Sequence, residues 1–469
     1  MKIEQIYTGC LAHAAYYIEN NGEAAIFDPL REVQPYIDRA NKDKAKIKYV
    51  FETHFHADFV SGHLDLAQKT GATIVYGPTA KPEFDAYVAA DKDIFEVGNC
   101  KVKVLHTPGH TMESTTYLLI DEKGHDHGII TGDTLFIGDV GRPDLAQHVV
   151  EDLTEEKLAG LLYDSLHEKI LPLDDHLIVY PNHGAGSACG KMMSKETTDT
   201  LGHQKATNYA LQPMEKEEFI EKLLTGLTSP PGYFPKNVMM NIKGYEPLDS
   251  VLNKAKRPLS PEAFEVAANE TGALILDTRE SEVFAKGFIP NSINISLNGS
   301  FAMWVGEMIP DIKQKILLVC EEGTEENAMI RLSRVGYDNT IGYLDRGFNS
   351  WNYAHKEIDK VNRIDAKELA RKMNKSPIVV DVRKKSEFDS EHIIGAINIP
   401  LNQINQHLAE LPKDEPFILH CESGYRSMLA SSILKARGWK NFVDVRDGFK
   451  GIKETDTPVS EYVCPTTLL

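Results

Sequence analysis

The chain has 469 residues, 42% hydrophobic and 26% charged, which excludes fibrous and fully disordered classes and suggests about three domains. Lys+Arg 51 against Asp+Glu 69 leaves a formal charge of −18, and without a basic cluster that excludes a nucleic-acid binder. No run approaches the ~20 apolar residues of a membrane span, Met1–Tyr7 alternates like a strand rather than a signal peptide, and six cysteines are too few for a disulfide scaffold, so no membrane partner and a reduced, cytoplasmic setting are expected.

Residues 1–245 hold most of the 17 histidines. Short strand-like runs recur at 24–27, 49–52, 73–76, 101–105, 116–120, 128–130 and 177–180, with helix-like stretches at 62–69 and 154–166. The spacing predicts an α/β domain. Four of these runs end in a turn that offers His or Asp. They are His54-Phe55-His56-Ala57-Asp58, Pro108-Gly109-His110, Gly132-Asp133-Thr134 and Asn182-His183-Gly184. Imidazole and carboxylate suit zinc and iron, and strand ends are where α/β folds build sites. One such His is more often a hydrogen-bonding turn residue than a ligand. Four such turns in one domain point to a metal centre. His13, His63, His106, His125, His127, His148, His167, His176 and His203 stand outside such turns and read as surface or structural. So do Cys10 and Cys100, in strand-like settings.

The Pro/Gly-rich segment 229–235 reads as a turn or linker at the end of this domain. Beyond it lies an internal repeat. Asp277, Arg279, Phe284, Asn294 and Leu297 recur as Asp381, Arg383, Phe388, Asn398 and Leu401 at a constant offset of 104. Each unit alternates strand-like and helix-like runs, which predicts mostly parallel sheets. We place these domains at 252–358 and 361–469.

In the last unit, Cys421-Glu-Ser-Gly-Tyr-Arg426 follows an apolar strand and opens a helix. A thiol facing a helix N-terminus, beside an arginine, is favoured as thiolate. The matching loop of the middle unit, Cys320-Glu-Glu-Gly-Thr-Glu325, lacks the arginine and crowds its thiol with carboxylates. That disfavours thiolate, so the middle unit reads as scaffold. Cys464 carries no motif.

The series His54-x-His56-x-Asp58, His110, Asp133, His183 resembles the metallo-β-lactamase superfamily, which implies an αββα sandwich with metal at one edge. Many members place a further His after the motif's Asp to help hold a second metal. Phe59 stands there, which favours one metal. Gly132-Asp-Thr-Leu-Phe-Ile-Gly-Asp-Val-Gly-Arg-Pro-Asp-Leu145 and His183-Gly-Ala-Gly-Ser-Ala-Cys189-Gly190 resemble the persulfide dioxygenase branch, particularly members fused to rhodanese domains. That resemblance implies one mononuclear non-haem Fe(II) on His54, His110 and Asp133, with Zn²⁺ also suited to these donors. It makes His56, Asp58 and His183 the groups that orient the ligands. Arg142 is read as the anchor of an anionic thiol substrate or half of an ion pair with Asp144. Cys189 is read as a sulfur relay, part of the substrate entrance or a packed thiol. The 421–426 loop, Asp381-x-Arg383 and Glu387-Phe388-x-x-x-His392 resemble a rhodanese, which implies catalysis by Cys421 and Arg426.

The resemblance implies oxidation of a small thiol persulfide by O₂ to sulfite and thiol, then transfer of sulfane sulfur to sulfite, giving thiosulfate. A homo-oligomer is expected. The alternatives are a thioester hydrolase of the glyoxalase II type fused to rhodanese, and a non-catalytic sulfur carrier or sensor.

Overall fold

The computed structural model describes residues 1–145, 153–227 and 229–464. It divides into two compact units, Met1–Val251 with Ile330–Asp338, and Leu252–Met329 with Asn339–Leu469.

The first unit holds two six-stranded sheets. In one, Lys2–Thr8, His13–Asn20 and Glu23–Phe27 pair antiparallel, then Lys46–Phe51, Thr73–Tyr76 and Tyr87–Val88 continue in parallel. In the other, Ile94–Val97, Cys100–His106, Thr115–Ile120 and Asp126–Gly132 are antiparallel, Ile178–Pro181 joins in parallel, and Asp199–Thr200 closes the edge antiparallel. Side chains alternate across each strand. Tyr16, Ile18, Ala25 and Phe27 meet Val102, Val104, Tyr117 and Leu119 between the sheets. Ala15, Tyr17, Ala24 and Ile26 turn the other way, under the helices Gln34–Asp43 and His63–Thr70. The far face of the second sheet packs against Glu155–Ser165 and Lys216–Leu224. The result is an αββα sandwich. Burial on both faces explains why the strands read as continuous apolar runs.

The 229–235 segment does not end this unit. Pro235 lies in the first turn of the helix Phe234–Lys243, where a missing N–H costs nothing, and the unit runs on to Val251. No helix among the described residues is long and apolar enough to cross a membrane.

The second unit contains two five-stranded, all-parallel sheets of identical strand order. One runs Pro258–Leu259, Thr340–Leu344, Ile316–Val319, Leu274–Asp277, Ile293–Asn294. The other runs Arg363–Ile364, Phe442–Val445, Phe417–His420, Ile378–Asp381, Ile397–Asn398. Cys320 and Cys421 each follow the central strand at its carboxyl end, where parallel sheets place their sites.

Candidate metal centre and thiol site

In the first unit, ligand atoms of His54, His110 and Asp133 lie within 4.8 Å of one another, all buried. Each imidazole is held in one tautomer from behind. Thr53 gives its hydroxyl to Asp28 at 3.1 Å and accepts the His54 Nδ1 proton at 2.9 Å. His110 donates Nδ1–H to the Arg142 carbonyl at 2.8 Å. Both Nε2 lone pairs therefore face Asp133 Oδ2, at 3.8 and 3.4 Å. That oxygen is buried and has no hydrogen-bond partner. An orphaned carboxylate oxygen opposite two imidazole lone pairs is the donor set of a divalent metal, so the residues fit one. Burial, then the neighbouring His56, holds His54 well below its ordinary value. Asp133 lies well below the carboxylate range because His183 and His54 outweigh its burial.

Close approach requires glycine at two turns. A Cβ on Gly141 would stand 2.1 Å from the Asp133 carbonyl and 2.8 Å from His110 Nδ1. Gly109, at φ +148, would place one 2.4 Å from the helix backbone at Leu162.

The outer groups divide into two sets. His183 donates Nδ1–H to Asp133 Oδ1 and Nε2–H to Asp58 Oδ2, both at 2.9 Å. Burial opposes its charge, but Asp133 and Asp58 raise it to about 10. His183 thus bridges the two carboxylates through both ring nitrogens. Phe59, fully buried, packs its ring 4.3 Å from His13 and from His56. His56 turns its Nε2 to Asp28 at 2.8 Å and Glu52 at 3.4 Å, and its Nδ1 has no partner. It is raised well above its ordinary value because Asp28, with Glu52, outweighs burial.

Arg142 spends its fork on Asp144, at 2.6 and 2.5 Å, while its amide meets the Cys189 carbonyl. Of its two roles read from the sequence, this geometry is the ion pair. The Cys189 thiol is buried within 4.8 Å of ligand atoms of Asp58 and His183. Burial, with Asp58 and Asp133 adding, raises it well above the ordinary thiol value.

The structure gathers several residues that the sequence left aside. His13 is fully buried, bonded to the Asp28 carbonyl at 2.9 Å, and lowered by burial to about 3. His63 is buried with Nδ1 3.4 Å from Glu52. His148 lies outside the described residues. Asn241, from the helix Phe234–Lys243, donates to the carbonyls of His56 and Phe59 at 2.8 Å and accepts the Ser61 amide at 2.9 Å. This one buried amide clamps the His54–Asp58 loop from a helix far along the chain. Asp28 had a signal, an aspartate at a strand end before Pro29. Asn241 had none.

In the second unit, Cys421 Sγ accepts the Gly424 amide at 3.2 Å. Gly424 has φ +86, and a Cβ there would meet the Arg446 carbonyl at 2.3 Å. Arg426 forks onto Glu387 at 2.6 and 2.8 Å. Tyr425 donates to the Ser296 carbonyl of the middle repeat at 2.9 Å. Cys320 is different. Burial, with Glu325 adding, raises its thiol to about 12 even against a hydrogen bond from Thr278.

The sandwich and its strand-end site define a metallo-β-lactamase fold, joined to paired rhodanese sheets. The family models agree, with the metallo-β-lactamase superfamily matching residues 8–183 and the rhodanese-like domain matching 260–354 and 365–455. The chain belongs to the metallo-β-lactamase superfamily and carries two rhodanese-like domains. A solved metallo-β-lactamase from Staphylococcus aureus subsp. aureus COL is 32% identical with TM-score 0.63, covering 73% of this chain and 98% of that one. The cytoplasmic hydroxyacylglutathione hydrolase of Arabidopsis thaliana is 33% identical over 39% of this chain and 74% of its own length. The mitochondrial persulfide dioxygenase ETHE1 of Homo sapiens is 28% identical over 44% of this chain and 73% of its own.

Proposed function

We propose that the protein oxidises a low-molecular-weight thiol persulfide at a mononuclear non-haem iron and transfers sulfane sulfur through Cys421. The carrying observation is the donor set. The imidazoles of His54 and His110 face the orphaned Oδ2 of Asp133, Phe59 stands where many relatives in the fold family carry a further His, and both nitrogens of His183 are bonded to carboxylates. Two imidazoles and one carboxylate on one face leave positions open for two reactants. Iron bound there would supply the one-electron chemistry by which dioxygen reacts with sulfur.

The chain's own residues do the rest. Thr53 and the Arg142 carbonyl fix the imidazole tautomers. His183 holds Asp133 in place and ties it to Asp58. Arg142 anchors the 142–144 turn, and the protonated Cys189 lines the wall beside His183. The first reaction balances as R–SSH + O₂ + H₂O → R–SH + SO₃²⁻ + 2H⁺. In the second, the Cys421 thiolate takes the outer sulfur of another persulfide, releasing R–S⁻. Sulfite then attacks that sulfur, giving S₂O₃²⁻, releasing the persulfide proton to water and restoring the thiolate. The Gly424 amide and the start of the helix Tyr425–Ala436 favour the anion that each step leaves on Cys421. Joining the activities in one chain raises the concentration of sulfite near Cys421.

The test is oxygen uptake by Fe(II)-loaded protein with a small persulfide. His110→Ala is expected to abolish uptake. No uptake by the unmodified protein, with cleavage of a glutathione thioester instead, would replace this reading by the hydrolase that the hydroxyacylglutathione hydrolase relatives represent.

A further inference from the structure

We infer that the carrier thiol reaches the metal centre through an uncharged arm, an alkyl or amide chain, rather than an anionic peptide. This rests on the persulfide reading above and narrows its substrate class. A narrow cleft lies against His110 and Thr111. Its wall is apolar, formed by Phe55, Ala57, Met112, Leu145, Val238 and Ile242. Phe55 and Ala57 are the two intervening positions of the His-x-His-x-Asp loop, so the loop that carries His54 also lines the cleft. Val238 and Ile242 stand one turn apart on the helix that carries Asn241.

Among the described residues lining this cleft there is no lysine or arginine. The one charged side chain is Glu113, whose carboxylate accepts the Phe55 amide at 3.0 Å. Arg142, the cation that the sequence offers for an anionic substrate, is committed to Asp144. A carboxylate on the carrier would lose water against an apolar wall, gain no countercharge and meet Glu113. A neutral arm buries its apolar surface there without that cost, as small-molecule sites ordinarily require.

The experiment compares oxygen uptake by the full Fe(II)-loaded chain with two persulfides, those of N-acetylcysteamine and of glutathione. The neutral persulfide is expected to have kcat/KM at least tenfold higher. Ile242→Arg, which places a cation at the half-buried rim, is expected to narrow or reverse that ratio by raising the value for glutathione persulfide. Equal or better use of glutathione persulfide by the unmodified chain overturns the inference. So does a neutral preference that Ile242→Arg leaves unchanged, because the preference would then arise outside this cleft. Absence of uptake with both persulfides removes the persulfide reading itself and this inference with it.

Discussion

The two rhodanese repeats share a scaffold and differ in a loop. In each, an arginine doubles back onto the aspartate two residues earlier. Arg279 meets Asp277 at 2.6 to 3.0 Å, and Arg383 meets Asp381 at 2.7 to 3.1 Å. In each, an asparagine amide donates to the carbonyls of both residues, Asn294 in one and Asn398 in the other. Each guanidinium lies over a phenylalanine, Phe348 or Phe449. These buried charges are paired and bonded on all sides, the condition under which burial is tolerated. The same network accompanies the same strand order in both repeats. It does not extend to the residues after the central strand, where Arg426 of one repeat answers to Glu325 of the other. One scaffold therefore carries two thiol loops of different charge.

The largest expected effect tests that division directly. Cys421→Ser should reduce thiosulfate formation from persulfide and sulfite to the uncatalysed rate, with oxygen uptake unchanged. Cys320→Ser should leave both unchanged. Equal losses in the two variants would break the comparison. A graded effect follows from charge. Because its thiol is raised to about 12, Cys320 carries almost no thiolate at pH 8, and its alkylation by iodoacetamide should grow only as pH climbs toward that value. Glu325→Gln should move the onset to lower pH, read by mass mapping of the Cys320 peptide in the Cys421→Ser background. The smallest effect concerns the contact between repeats. Tyr425→Phe removes one hydrogen bond to Ser296 and should cost about 0.5–1.5 kcal/mol in unfolding, with a shift in the KM for sulfite if the contact also shapes the Cys421 loop.

The sequence by itself determined the parallel class of the two repeat sheets and the His and Asp turns that the fold gathers into a candidate metal centre. Apolar runs ending in His or Asp turns specify strands buried on both faces with polar groups at their ends, and these are local properties. The run at 73–76 matches its strand residue for residue. The constant offset of 104 foretells a duplicated sheet because parallel strands and their crossovers repeat as units.

Tertiary structure decided the rest. Whether Arg142 meets a substrate or Asp144 depends on which partner the folded turn brings within reach. His13 and His63 are ordinary in the sequence. They become part of the centre because the strand His13–Asn20 and the helix His63–Thr70 pack beside Asp28 and Glu52. Asn241 follows a segment with the composition of a linker. Only packing sets its amide against three backbone groups of the loop that follows His54. Local sequence sets the donor types and the strand ends on which they sit. Hydrogen-bond geometry and burial depend on residues far apart in the chain, and these orient the gathered imidazoles and carboxylates and set the charge of the cleft.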